Sequence, residues 1–304
     1  MYEQIASNRR KTIYLILGSL IFSGGIGFLI SYLLFRNGYV GLIVFLLLSG
    51  ARAFYSYRYG DKVVLRQTRA RPVTHEEEPR LHNVVEGLAL AAGTPKPAVY
   101  VVPEAAPNAY ATGRDPEHAS VAVTQGLLDM MDRVELEGVV AHEMSHVRDH
   151  DILVGTIVAT LVGTVVLLAE FMLRWMFWGG GFGGRGRNGN RDGGEGFALL
   201  AVVGIALAVV AIIAAPIIQL AMSRRREFLA DAQGAMLTRY PPGLASALKK
   251  LAADHTPMRV ANNATGHLWL NQPSRVHGEA NHWWENLFST HPPIEERIRL
   301  LEEM

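Results

Sequence analysis

The residues able to do chemistry are concentrated in Val140-Ala141-His142-Glu143-Met144-Ser145-His146. Residues four apart on an α-helix stand almost above one another, so His142 and His146 can turn both imidazoles toward one metal ion. Glu143 follows the first imidazole directly, where its carboxylate can reach a water beside that metal. Zinc suits the set. Imidazole ligates it well, and a catalytic zinc takes three protein ligands and leaves its fourth position to water. The metal acidifies that water; a carboxylate beside it accepts the proton and passes it to a leaving amine. The same five-residue pattern also fits a surface helix with two solvated histidines, so the surrounding elements decide between the readings.

The chain has 304 residues, 49% of them hydrophobic, a formal net charge of +1 and no cysteine. That length accommodates one or two domains. The charge balance gives no global field for nucleic acid. Without cysteine, disulfides and thiolate zinc sites are excluded, and a metal must be held by histidine and carboxylate. The hydrophobicity falls in blocks, which points to membrane segments joined to a soluble part.

Residues 1–11 are polar and end in Arg9-Arg10-Lys11. The apolar run from Thr12 to Phe35 is long enough to cross a bilayer and too long for a signal-peptide core. Asn37-Gly38 reads as a tight turn. A second span follows from Tyr39 to about Tyr57, with Phe54, Tyr55 and Tyr57 as an interfacial belt. Basic residues flank the outer ends of this hairpin (Arg52, Arg58, Lys62, Arg66), while Arg36 alone sits in the turn. This places the N-terminus and the next domain in the cytoplasm.

Residues 74–93 read as an amphipathic helix closed by Gly93. Three short extended runs come next, at Ala98–Val102, Ala109–Thr112 and Ser120–Thr124. Asp132-Arg133-Val134-Glu135 reads as a helix start, and Leu136, Val139, Val140, Met144 and Val147 mark the buried face of the motif helix. Ile152 to Trp178 is again apolar. A glycine-rich loop at 179–194 carries Arg185, Arg187 and Arg191, and Phe197 to Met222 forms a fourth apolar run. Glu170 inside the third run reads as a helix-face pair with Arg174.

After the fourth run comes Glu227-Phe228-Leu229-Ala230-Asp231. Glu227 and Asp231 share a helix face. A carboxylate ligand with a second carboxylate one turn on suits a His/His/Glu zinc site, because the outer Asp can hydrogen-bond a ligand imidazole and fix its tautomer. Taken alone, the segment equally fits a solvated helix start paired with Arg224–Arg226. The third and fourth apolar runs favour the site: a membrane hairpin returns the chain to the side it left, which can bring His146 and Glu227 onto one face.

His142-Glu143-x-x-His146, an apolar hairpin and Glu227-x-x-Ala230-Asp231 together resemble the HtpX family of membrane zinc metalloproteases, bacterial and archaeal heat-shock relatives of the CAAX prenyl protease. The likeness covers nearly the whole chain, including Asn108-Ala109-Tyr110-Ala111-Thr112-Gly113 and Ser289-Thr290-His291-Pro292-Pro293 with Arg297. It implies that His142, His146 and Glu227 hold one Zn2+ per chain, that Glu143 is general base and then acid, and that Asp231 supports a ligand. It also implies that His291 lies beside the zinc, and that His291 or Arg297 polarises the scissile carbonyl or holds the Glu227 region. Asn108–Gly113 fits either an edge strand that takes up substrate backbone or an ordinary sheet strand, with Asn108 as a cap or a polar substrate contact. Ser289–Arg297 reads as a capped helix start.

The expected architecture is a mainly α membrane protein, with four transmembrane helices and a zincin-like α+β domain carrying a small three-stranded sheet. Residues 1–58 form the first hairpin, 59–151 the first part of the catalytic domain, 152–222 the second hairpin and 223–304 the second part of the domain. The expected activity is a membrane-bound zinc endopeptidase in the cell membrane, facing the cytoplasm, with unfolded or membrane proteins as substrates and no nucleic acid partner. By resemblance its role is quality control of misfolded or damaged membrane proteins. Two other classes stay open: a processing protease for prenylated or membrane substrates, and a zinc-stabilised scaffold without catalysis. The scaffold needs a fourth protein ligand, for which His150 is the nearest spare imidazole.

Overall fold

A computed structural model describes residues 2–162, 224–260, 265–271 and 292–304. Most of the third apolar run with Glu170 and Arg174, the loop at 179–194, the fourth run and Ser289–His291 lie outside the described residues.

Helices α1 (Tyr2–Phe35) and α2 (Gly38–Gln67) fold back on one another. Asn37 caps α2, its side chain accepting from the Tyr39 amide at 3.1 Å. The two backbones touch where glycines face each other: a Cβ on Gly41 would lie 2.0 Å from the Gly27 carbonyl oxygen. Small residues allow this approach between apolar helices. The most apolar 18 residues within Ala6–Leu29 and within Gly38–Gln67 have mean hydropathies of 1.9 and 1.6, yet only 17% and 11% of those residues are buried within the protein. So much uncovered apolar surface suits a lipid bilayer. At ~1.5 Å per residue α2 runs to about 45 Å, longer than a ~30 Å hydrocarbon core. Its far end enters the soluble domain, where Val64 and Leu65 are buried with Tyr110 and Trp269.

Among the described residues the sheet has four strands, in the order β1-β2-β4-β3. They are β1 (Arg71–Pro72), β2 (Ala98–Val102), β3 (Ala109–Gly113) and β4 (Ala119–Thr124). β2 and β4 run parallel, and the outer strands pair antiparallel. Three strands were expected from the sequence. The fourth, β1, is two residues long and holds a proline, so it has no alternation to read, and proline is tolerated there only because the position is an edge. β3 is the other edge, and its outer side faces the site.

Helix α3 (Pro79–Ala92) begins later than residue 74, because Thr74–Glu77 closes a turn through the Thr74 amide and the Glu77 carboxylate (2.8 Å). Gly93 ends it at φ 67°, as a left-handed cap. After the short α4 (Gln125–Met130), α5 (Arg133–Arg148) carries the histidine motif. Asp132 and Glu135 form a reciprocal capping box at its start. Leu136, Val139, Val140, Met144 and Val147 are all fully buried, against α3 and the sheet. His150 takes a left-handed conformation (φ 59°) and breaks the helix. The chain resumes as α6 (Asp151–Ile157) and a π-helical turn (Val158–Val162), and these first residues of the third apolar run pack inside the protein against α1, α2 and β3.

Among the described residues, three helices close the domain: α7 (Arg224–Thr238), α8 (Pro241–Ala253) and α9 (Ile294–Glu302). α9 starts on Pro293 with no side-chain cap, so the expected hydroxyl cap does not sit at this helix start. α7 crosses α5 at close range. A Cβ on Gly234 would meet the His142 amide nitrogen at 3.0 Å, so only glycine lets the two backbones come so near.

Candidate active site

The α5–α7 crossing brings three side chains to one point. His142 and His146 come from α5 and Glu227 from the first turn of α7. One ligand atom from each lies within 4.8 Å of the others. The two Nε2 atoms face each other at 3.2 Å. Glu227 oxygens stand 3.8 Å from the first and 3.7 Å from the second. His142 and Glu227 are buried, and His146 nearly so.

The opposite side of each ring fixes its tautomer. His142 Nδ1 lies 2.8 Å from Asp231, and His146 Nδ1 lies 3.3 Å from Asp151. A carboxylate can only accept, so each Nδ1 carries a proton, and in the neutral ring each Nε2 offers its lone pair. Two lone pairs and a carboxylate directed at one point make a donor set that fits a divalent cation, and the mix of imidazole and carboxylate fits zinc. His150 is not part of the cluster.

Charge around the cluster is arranged in layers. Burial pushes the Glu143 carboxyl up to about 7; the Glu227 charge adds to this, while His146, Arg297 and the Ala111 amide oppose it. For His146, burial lowers the pKa, but Asp151, Glu227 and Glu143 outweigh it and raise the imidazole to about 9. Burial dominates at His142, whose pKa falls. Asp231 is held down at about 2: burial opposes this, and Arg297 overcomes it. Arg297 clamps Asp231 with Nε at 2.8 Å and Nη2 at 2.7 Å. It is 1% exposed, so this bidentate pair is fully withdrawn from water.

A cleft opens on the cluster, lined on its apolar side by Ala111, Ile152, Leu268 and Leu270. The outer edge of β3 forms part of its wall and is closed at both ends. At one end the Leu270 amide donates to the Ala109 carbonyl (2.9 Å), and Asn108 pairs with the Asn271 backbone at 2.8 and 3.1 Å. At the other, the Gly113 amide donates to Thr156 (3.1 Å). Ala111, between these closures, faces the cleft.

The structure therefore brings together His142, Glu143, His146, Glu227, Asp231 and Arg297 from the sequence-derived set. It places Asn108 in a buried contact with Asn271, away from the metal-ligand cluster. His291 lies outside the described residues. Asp151, Asn8 and Gly234 were not singled out from the sequence, and His267 reads there as a surface or packing histidine rather than a ligand. Asp151 stands five positions after His146, which is no helix-face spacing; the break at His150 returns it. Asn8 touches Asp151 across the fold. His267 lines the cleft with Nε2 3.1 Å from the Gly155 carbonyl. Gly234 did leave a signal: Glu227, Asp231 and Gly234 recur at four and seven residues on one face, and a glycine there marks close helix packing.

The chain is similar to known proteins over most or all of its length. A model of peptidase family M48 matches residues 75–304. A protein described as "Protease HtpX homolog" from Thermoanaerobacter pseudethanolicus is 45% identical over 100% of this chain and 98% of its own length. The protein of the same description from Caldanaerobacter subterraneus is 46% identical, with the same two coverages. That from Pyrococcus furiosus is 44% identical over 92% of this chain and 90% of its own. Among solved structures, S. mikatae Ste24p aligns over 99% of this chain and 67% of its own with 18% identity and a TM-score of 0.49.

Proposed function

The chain belongs to peptidase family M48, and from that premise we propose that it is a membrane-anchored zinc endopeptidase with His142, His146 and Glu227 as ligands and Glu143 as the proton-transfer group. The observation that carries this is the pair of Nε2 atoms 3.2 Å apart beside Glu227, each imidazole oriented by its own carboxylate. Zinc bound there would supply Lewis acidity, polarising a scissile carbonyl and making a water more acidic.

The chain's own residues do the rest. Glu143 is buried at the cleft and carries a carboxyl pKa of about 7 without the metal; a cation at the cluster draws that value down and favours the carboxylate. In that form Glu143 takes a proton from water and returns it to the departing amine. Asp231 keeps the His142 proton on Nδ1, and Arg297 keeps Asp231 in place. The Ala111 amide serves Glu143, so on this edge of β3 the Ala111 carbonyl accepts from a substrate backbone amide, and the apolar wall of the cleft excludes water around it. Such recognition reads backbone more than side chains and suits unfolded segments of many sequences.

By resemblance, the substrates are misfolded or damaged membrane proteins, and the enzyme is a multi-pass protein of the cell membrane with its catalytic domain in the cytoplasm. The direct test uses the full chain in detergent with an unfolded soluble protein and a destabilised membrane protein as substrates. Cleavage of both that stops with a chelator and returns with zinc is the expected result. Cleavage indifferent to chelation would overturn the metal reading.

A further inference from the structure

We propose that Asn8, near the start of α1, is a positioning residue of the metal site, acting on His146 through Asp151; this rests on the zinc reading above. Asp151 uses both oxygens. Oδ2 faces His146 Nδ1 at 3.3 Å. Oδ1 accepts from Arg226 Nη1 at 2.9 Å and from the Asn8 amide. The Asn8 amide also donates to the Asp149 carbonyl at 3.1 Å. Asn8 therefore clamps the two residues on either side of His150, the left-handed residue at which α5 breaks.

That break needs holding. In a continuous helix Asp151 would point well away from the His146 face, since five residues overshoot a turn. Only the reversal at His150 returns its carboxylate to the imidazole. A left-handed conformation is unfavourable for a residue with a side chain, so neighbouring contacts must maintain it. Asn8 is 3% exposed and is seated by its own helix: Leu15, two turns on, packs against Val154 and Val158 of the α6 segment. Arg226 adds a second anchor beside Glu227. Asp151 thus ties the α5–α6 break, the start of α7 and the first apolar helix to one ligand imidazole. A helix expected only to anchor the protein becomes part of how the metal site is assembled.

Asparagine at position 151 cannot replace the carboxylate. It has one acceptor oxygen, so it can serve either His146 or the Asn8–Arg226 side. The test measures zinc affinity of the full chain in detergent by chelator competition, and the visible spectrum of the cobalt(II)-loaded protein, which reports ligand geometry. The variants are Asp151→Asn, Asn8→Ala and the near-isosteric Asn8→Leu; alanine and leucine both favour the helix, so α1 itself is preserved.

The expected losses are roughly 10–100-fold for Asp151→Asn and about tenfold for both Asn8 variants, with altered cobalt bands and an unchanged melting transition of the metal-free protein. Unchanged zinc affinity and cobalt spectrum in both Asn8 variants would overturn the proposal. So would loss of the folded metal-free state in all three, since these residues would then hold the fold rather than the imidazole. Failure of the wild type itself to bind zinc would instead overturn the metal reading.

Discussion

At the scale of single residues, the centre is a set of buried charges that are tolerable only together. Asp231 and Arg297 are 3% and 1% exposed and satisfy one another. Removing one partner leaves the other in the interior without its counter-charge. Arg297→Met is therefore expected to destabilise the domain by about 3–5 kcal/mol, read as a drop in melting temperature. Asp231→Asn keeps the volume but weakens the grip on His142 Nδ1, and zinc affinity should fall roughly 10–100-fold. Equal affinity in Asp231→Asn and wild type would remove Asp231 from the ligand-orienting role. Much of this centre is legible in the sequence, because His142/His146 and Glu227/Asp231 follow helix periodicity. Asp151 and Asn8 are not, because their roles depend on a helix break and on a contact between distant segments.

At the scale of elements, α5 is fixed at its start and its crossing. Glu135 closes the capping box and also accepts from Lys250 at 2.6 Å and Ser246 at 2.7 Å. Burial pushes its carboxyl up, but these hydrogen bonds and the Asp132 amide outweigh burial and hold it below the ordinary 4.5. A carboxyl lowered by folding stabilises the fold above its ordinary value and loses that contribution as pH falls through the folded one. Glu135→Gln should accordingly melt lower than wild type near neutral pH, with the gap shrinking once the pH drops well below 4.5. A gap that persists in acid would show that packing, not charge, is responsible.

The crossing gives a second prediction at this scale. Gly234→Val pushes α7 off the His142 backbone, should cost about 1–3 kcal/mol, and should weaken zinc binding because Glu227 rides on α7. Zinc affinity equal to wild type would separate the crossing from the site. The helix start at Asp132 and the buried stripe of α5 were readable in advance, since helix-start signals and periodicity are local. The start of α3 and the two-residue β1 were not, because a local turn and an edge pairing decide them.

At the scale of the whole molecule, an apolar hairpin and a mostly buried α/β body share the chain, and α2 belongs to both. The basic residues at the outer ends of the hairpin predict that the body faces the cytoplasm. The sequence has no cysteine, so single cysteines report topology cleanly. A cysteine in place of exposed Leu90 should be labelled by an impermeant reagent only after the membrane is opened, and one at Arg36 should be labelled from outside. The reverse pattern would invert the topology. Hydropathy made the first hairpin legible. It gave no hint that the opening residues of the third apolar run bury themselves between β3 and the membrane helices, because burial in protein and burial in lipid demand the same side chains.

The most direct test of the account is a paired measurement on wild type and Glu143→Gln, purified with chelator and reloaded with zinc. Bound zinc and cleavage of casein are measured on both. Both should bind equal zinc, close to one ion per chain, with cleavage reduced roughly 10²–10⁴-fold or more in the variant. A variant that binds zinc and cleaves as well as wild type would contradict the assignment of proton transfer to Glu143, and the mechanism built on it would fall.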